Sequence, residues 1–337
     1  MGHIKKKRPR RGSLAVWPRV RARAIRGHVE TWPLPKTGLK APKLLGFCGY
    51  KAGMTSAIAV DNRPKAMTKG EEFKYSSSVV ETPPIKPFSI RLYQQTPYGQ
   101  HLISEAFSEN LDKNLLRTIS TPKKRISTVE KLKANVPRTT RVAVVIHTQP
   151  QTTGFAKKTP DIFEIPVAGG SIEEQFNYAV SILGKEVKFE DIFKAGEFVD
   201  THGVTKGKGF QGMIKRYGIK LERTKAEKGR RHRATMGPIT PPKVGWWIAQ
   251  SGQMGSHQRT EYNRQILLIG IGKEKQVTPN GGFVNYGVVS GQYALLAGSV
   301  PGAKRRLITM THPARPRKNL FAQAPEIRQI NVRSQQG

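Results

Sequence analysis

A single cysteine, Cys48, stands in a chain of 337 residues, so no disulfide can close within it and no zinc site can rest on paired thiolates. Within Leu45-Gly46-Phe47-Cys48-Gly49-Tyr50 the thiol reads as a small packed core residue. Acidic residues are scarce: 23 Asp and Glu face 58 Lys and Arg, leaving a formal net charge of +35. That excess is far beyond what solubility needs, and it points to a partner carrying many phosphates. Long apolar runs are missing too. Val142 to Ile146 and Ile266 to Ile271 stop far short of the roughly 18 residues that suggest a spanning helix, so a membrane partner is not expected. The basic amino terminus has no apolar segment behind it, Pro9, Gly12 and Pro18 break the helix of a transit peptide, and Lys6 defeats the myristoylation pattern. A cytoplasmic protein is expected.

Hydrophobic residues make up 37% of the chain, low but sufficient for a core, and the length suits about two domains of ~150 residues or one module with long extensions. The distinctive stretch is His202 to Arg216. Gly203, Gly207, Gly209 and Gly212 free the backbone to approach another surface, while Lys206, Lys208, Lys215 and Arg216 place charge beside them. From there to Arg259 the only acids are Glu222 and Glu227, against Arg223, Lys225, Lys228, Arg230, Arg231, Arg233 and Lys243, with His232 and His257 among them. Such a tract repels itself, and polyanion is expected to order it.

Residues 1–43 form a basic arm in which Lys5, Lys6, Lys7, Arg8, Arg10, Arg11, Arg19, Arg21, Arg23 and Arg26 meet Glu30 as the only acid. A solvated tail is one reading; Trp17 and Trp32 favour an arm lying on RNA. Beyond it, Leu44 to Tyr50 and Met54 to Val60 read as two strands around Lys51-Ala52-Gly53, and Val79 to Glu81 and Ile85 to Gln94 as two more. Ile103, Phe107, Leu111 and Leu115 recur every four residues and predict a helix from His101. A shorter helix is expected over Thr128 to Asn135, with strands over Val142 to His147 and Ile162 to Val167. Ser171 and Glu174 form a capping box before Ile172, Phe176, Val180 and Leu183, and Gly184 ends that helix. Phe189 to Phe193 suggests one more short helix. After the basic tract, Tyr262 to Ile271, Phe283 to Val289, Tyr293 to Val300 and Arg306 to Met310 read as strands whose turn spacing suits a small barrel.

The expected class is therefore mainly β with an α+β insert. Its parts are a basic arm (1–43), a β core (44–89, 195–217 and 260–337), an inserted α/β subdomain (90–194) and a basic loop extension (218–259). With about 20 residues per side at ~3.3 Å each, that loop reaches on the order of 60 Å.

Gly207 to Gly212 formally matches Gly-x-Gly-x-x-Gly, but no apolar helix follows and Lys208-Gly209 lacks the Ser or Thr of a Walker loop. The histidines have no metal-ligand spacing, and no nucleophile or acid pair marks a catalytic centre. No cofactor, metal, small-molecule substrate or enzymatic activity is expected. Trp246 and Trp247, taken as a strand pair, place one ring on the protein and the other on a base or sugar; local core for both is the equal alternative.

The residues around the glycine loop, Phe193, Asp200, Gly203, Thr205, Gly207, Lys208, Gly209, Gly212 and Arg216, resemble the signature of the universal large-subunit ribosomal protein L-three family, in its archaeal form. Gly49 to Thr55, Glu81-Thr82-Pro83-Pro84, Thr96-Pro97-Tyr98-Gly99, Gly252-Gln253-Met254-Gly255 with His257 to Glu261, Gly281 to Gly287 and Ser299-Val300-Pro301-Gly302 extend the resemblance along nearly the whole chain. The resemblance implies a translation-protein-type β-barrel on the subunit surface and an inserted α/β part. It also implies a loop entering the rRNA toward the peptidyl-transferase centre, and binding to the 3′ region of that rRNA early in assembly. Neighbouring large-subunit proteins would be further partners. Lys51, Gln253 and Arg259 join the expected rRNA contacts on this basis, and Gly237, Pro238 and Ile239 become the loop tip. At that tip relatives of the archaeal and eukaryotic branch carry Trp in a Gly-x-Trp-x-Pro setting, whereas Ile239 offers no indole. A non-ribosomal RNA-binding protein and an RNA-modifying enzyme are the alternative readings.

Overall fold

The computed structural model describes residues 13–35, 38–39, 41–120, 128–227, 229–232, 236–237, 239–240, 242–316 and 323–335. Of the expected RNA contacts, Lys5, Lys6, Lys7, Arg8, Arg10, Arg11, Lys228, Arg233 and the tip residue Pro238 lie outside them.

In chain order, Lys43–Leu44 (β1) and the long strand Gly46–Val60 (β2) are followed by Glu72–Glu81 (β3), Ile85–Thr96 (β4) and Gly99–Phe107 (β5). Val129–Lys133 (α1), Arg141–Thr148 (β6), Ile162–Ala168 (β7) and Ile172–Ile182 (α2) come next, and Phe198–Val204 (β8) runs into the glycine loop. Phe210–Gln211 (β9), Met213–Tyr217 (α3) and Gly252–Gln253 (β10) flank the basic tract. Gln258–Ile271 (β11), Gln292–Ala297 (β12), Leu307–Thr311 (β13) and Glu326–Ile330 (β14) complete a mainly β chain. No helix among the described residues is long and apolar enough to cross a membrane.

The chain divides into two compact units, one of Arg26–Gly203 with Arg259–Gly337, the other of Met1–Ile25 with Val204–Gln258. The first holds two sheets. A five-stranded antiparallel sheet has the order β1-β7-β6-β4-β5. A seven-stranded sheet has the order β13-β8-β11-β12-β3-β2-β14, and β13 also pairs with β2, so the succession from β13 to β2 ends on strands that are themselves paired. One apolar core joins both sheets, running from Leu44, Phe47 and Ile308 through Ile90, Val144 and Phe176. β6 is buried along almost its whole length, which is why Val142-Ala143-Val144-Val145-Ile146 is a continuous apolar run instead of alternating with polar residues. On α2 the Ser171–Glu174 capping box is in place, and Phe176 and Ala179 bury its inner face.

Polar ties cross this core. Tyr50 Oη donates to Asp161 Oδ2 at 2.7 Å and lies 2.8 Å from Thr148 Oγ1, while Lys157 pairs with Asp161. Tyr286 Oη donates to the buried Glu81 carboxylate at 2.5 Å. Burial raises the Glu81 pKa above the usual carboxylate range, against the pull of the Tyr286 hydrogen bond.

Four expectations need correction. The two strands expected around Lys51-Ala52-Gly53 are one strand, β2, whose register against β3 shifts between Lys51 and Gly53. A bulge absorbs the irregularity, and Gly53 suits it: a Cβ there would lie 2.4 Å from the Phe283 ring. The helix expected from His101 is instead β5 followed by a short 3-10 helix at Lys113–Arg117. Residues four apart share a face in a strand as well as in a helix, and the Thr96 to Gly99 turn, where Thr96 Oγ1 donates to Gly99 O at 2.9 Å, makes β4 and β5 a hairpin. Phe283 to Val289 is a turn and not a strand: Phe283 and Gly287 exchange hydrogen bonds, and Phe283, Tyr286 and Val289 point into the core. Finally, Trp246 and Trp247 are not a strand pair but sit in a turn closed by Ile248 N donating to Gly245 O at 3.0 Å. The strands β8, β9, β10 and β14 have no counterpart in the sequence reading.

Candidate nucleic-acid interface

In the second unit, the glycine loop is zipped to residues 252–257. Thr205 N donates to His257 O at 2.9 Å, Lys208 N to Met254 O at 3.0 Å, Met254 N to Gly209 O at 2.9 Å and Ser256 N to Lys206 O at 3.2 Å, continuing the antiparallel β9–β10 pair. Gly209 takes φ +66° and Gly255 takes φ +73°, and a Cβ at Gly255 would meet Lys206 O at 2.0 Å. Only glycine fits a zipper this close. Because the main chain satisfies its own hydrogen bonds, Lys206, Gly207, Lys208, Gly209 and Phe210 are left facing solvent.

α3 is one turn ended by Gly218 in the left-handed conformation. It aims Arg216 at three main-chain carbonyls: Nε donates to Gln253 O at 2.9 Å, Nη1 to Gln250 O at 2.9 Å and Nη2 to Arg19 O at 3.2 Å. Arg19 Nη1 in return donates to Arg216 O at 2.7 Å. Around this exchange Trp17 stacks on Tyr217 with centroids 5.6 Å apart, the Arg19 guanidinium carbon lies 4.3 Å from the Tyr217 centroid, and Trp246 meets Trp17 edge-on at 5.9 Å. Arm and loop, separate segments in the sequence, thus fold together. Ala22 N donates to Ser256 O at 2.7 Å, and His257 Nδ1 lies 2.8 Å from Val20 O.

The expected contacts divide by placement. Arg21, Arg23, Lys215, Arg223, Lys225, Arg230, Arg231, Lys243, Trp246 and Trp247 are exposed, like Lys206 and Lys208, as are Gly212, Gly237 and Ile239. Gln253 is half-buried, its amide donating to Gly255 O at 3.0 Å, and His232 and Arg259 are half-buried too. Arg26 is exposed in the sheet unit. Three others turn inward. Lys51 donates to Val300 O at 2.6 Å; His257 is buried against the arm; His202 is buried with Nε2 3.1 Å from Thr311 Oγ1 and Nδ1 3.0 Å from Thr260 Oγ1. Burial pushes the His202 pKa down to about 4, so its ring is neutral at physiological pH. Two aromatics outside the expected set belong to this unit: Phe210, 75% exposed, and Tyr217, buried inside the Trp17 stack. Aromatic residues interleaved with basic ones were the available signal. Among the described residues no group of His, Cys, Asp and Glu is placed to hold a metal.

Fold and site define a mainly β protein carrying a separate, strongly cationic loop unit with almost no acidic residues. The chain belongs to the ribosomal protein L3 family, whose model matches residues 1–337. Among similar proteins are the large ribosomal subunit protein uL3 of Archaeoglobus fulgidus, 44% identical with 99% of this chain and 100% of that one covered, and its namesake in Methanopyrus kandleri, 42% identical with 98% and 92% covered. The uL3 of Methanobrevibacter smithii is 41% identical, with 99% of each chain covered.

Proposed function

We propose that this chain is a structural constituent of the large ribosomal subunit, working in the cytoplasm by binding large-subunit rRNA rather than by catalysing a reaction. The observation that carries the reading is the loop unit. The main chain of its glycine loop is hydrogen-bonded to residues 252–257, and Lys206, Lys208, Lys215, Arg223, Arg230 and Arg231 are all exposed, with Glu222 and Glu227 as the only acids from Gly203 to Arg259. Cations so arrayed neutralise phosphates where RNA helices converge and release counterions, and recognition is of backbone shape, because A-form grooves hide base edges. Membership of the ribosomal protein L3 family supports the assignment of that RNA to the large subunit.

In this reading the sheet unit is a translation-protein-type β-barrel with an α/β insert near 90–194; the return of β13 onto β2 supports the closure. The loop of residues 218–259 carries its tip, Gly237 to Ile239, toward the peptidyl-transferase centre, and residues 1–43 form an arm on the rRNA 3′ region. Neighbouring large-subunit proteins complete the partners. The non-ribosomal and RNA-modifying alternatives have no supporting observation. Tagged protein should stay with large subunits through a high-salt wash and protect rRNA from hydroxyl radicals; sedimentation apart from the subunit after that wash would overturn the reading.

A further inference from the structure

Four buried polar atoms in the loop unit have no hydrogen-bond partner among the described residues; one is His232 Nδ1, and the other three belong to one aromatic stack: Trp17 Nε1, Arg19 Nε and Tyr217 Oη. Leaving such groups unpaired costs about 1–3 kcal/mol each, so three together at one place require an occupant. The chemistry of the atoms defines it. Indole N–H and guanidinium N–H donate only, and a phenol can donate as well, so the missing group is an acceptor. The electrostatics define its charge. Arg19 lies 4.3 Å and Arg216 5.2 Å from the Tyr217 centroid, and the arm from Ser13 to Ile25 contains no acid. Arg216 has committed three nitrogens to carbonyls, so its charge is fixed at the stack rather than free to swing away.

We infer that Trp17, Arg19 and Tyr217 form a receptor for a single RNA backbone phosphate, gripped from the arm side by Trp17 and Arg19 and from the loop side by Tyr217. This rests on the reading of the loop unit as an rRNA-binding surface and adds a specific subsite to it. The consequence is mechanical: a phosphate bound there adds a tie between arm and loop to those already made by Arg19 and Arg216. Tyr217 was absent from the contacts expected from sequence, because nothing near Lys215-Arg216 marks it as the partner of Trp17, 200 positions earlier, until the fold stacks the two rings.

Trp17→Phe and Tyr217→Phe each remove one unpaired hydrogen-bonding atom and keep a ring in the stack. The probe is a transcript of the 3′ region of large-subunit rRNA, bound to the full chain across a range of salt concentrations. Each variant should bind about tenfold more weakly, since a hydrogen bond to a charged acceptor is lost. The slope of log affinity against log salt should not change, because no cation is removed. With phosphorothioates scattered through the transcript, the native protein should show a position of interference that vanishes in both variants. An identical interference map in native and variant proteins, whatever their melting temperatures, would overturn the subsite. Lys206→Ala with Lys208→Ala serves as the separate control: a flatter salt slope there, with unchanged Trp17→Phe and Tyr217→Phe maps, means that the RNA reading stands and the subsite fails. A flat native salt response means that the RNA reading itself fails.

Discussion

Arg216 and Lys208 sit eight positions apart in one basic stretch, yet their side chains do different jobs. Arg216 donates to the carbonyls of Arg19, Gln250 and Gln253, while Lys208 is exposed and contributes only its main chain to the zipper. A lysine ammonium donates from a single point and cannot reproduce the planar guanidinium fork, whose three nitrogens each meet a different carbonyl, on Arg19, Gln250 and Gln253. Arg216→Lys should therefore lower the stability of the loop unit by about 1–3 kcal/mol, read as faster amide exchange at Ser256 and Lys208, whereas Lys208→Ala should leave that exchange unchanged. His202 and His312 supply a pH test. Burial pushes both pKa values to about 4, with Lys43 assisting at His312, below the unfolded value of about 6.5. The unfolded chain then binds more protons between those limits, so stability is complete above about pH 6.5 and falls as pH drops toward 4. The melting temperature should drop over that window, and less steeply in His202→Gln.

Among the elements, the zipper between residues 205–209 and 252–257 depends on Gly255, where a side chain would collide with the Lys206 carbonyl. Gly255→Ala should release the Lys208 and Met254 amides to exchange and weaken rRNA binding while the sheet unit melts normally; retained protection of both amides would count against this account. At α2, Ser171→Ala removes the capping oxygen 3.3 Å from Glu174 N and should cost about 1 kcal/mol, measurable by denaturant titration. This helix was legible in the sequence because cap, apolar face and terminal glycine agree. The stretch from His101 was not, since a four-residue spacing serves either period and the hairpin partner that decides between them lies on β4. Phe283 to Val289 misled for the opposite reason: its apolar residues are buried, but by a glycine-rich turn inserted beside Gly53 rather than by a ladder.

For the whole molecule, the charge of +35 makes one collective prediction. Affinity for large-subunit rRNA should fall steeply with salt, and replacing both Lys206 and Lys208 by Ala should flatten the slope by about 1.4 to 1.8, as expected for two lost phosphate contacts. An unchanged slope would remove those lysines from the interface. The chemical class of the partner, the basic segments, the helix behind Ser171 and most strands were determined by the sequence alone, because charge excess and periodicity are local properties that no folding event alters. Which cations stay free was decided only by the tertiary structure. Lys51, His202 and Arg216 look like their exposed neighbours in sequence, yet each meets carbonyl or hydroxyl groups brought from distant segments. A hydrogen bond to a group far along the chain leaves no trace in the spacing of nearby residues. For the same reason the stack of Trp17, Arg19 and Tyr217, assembled across some 200 positions, exists only once the chain has folded.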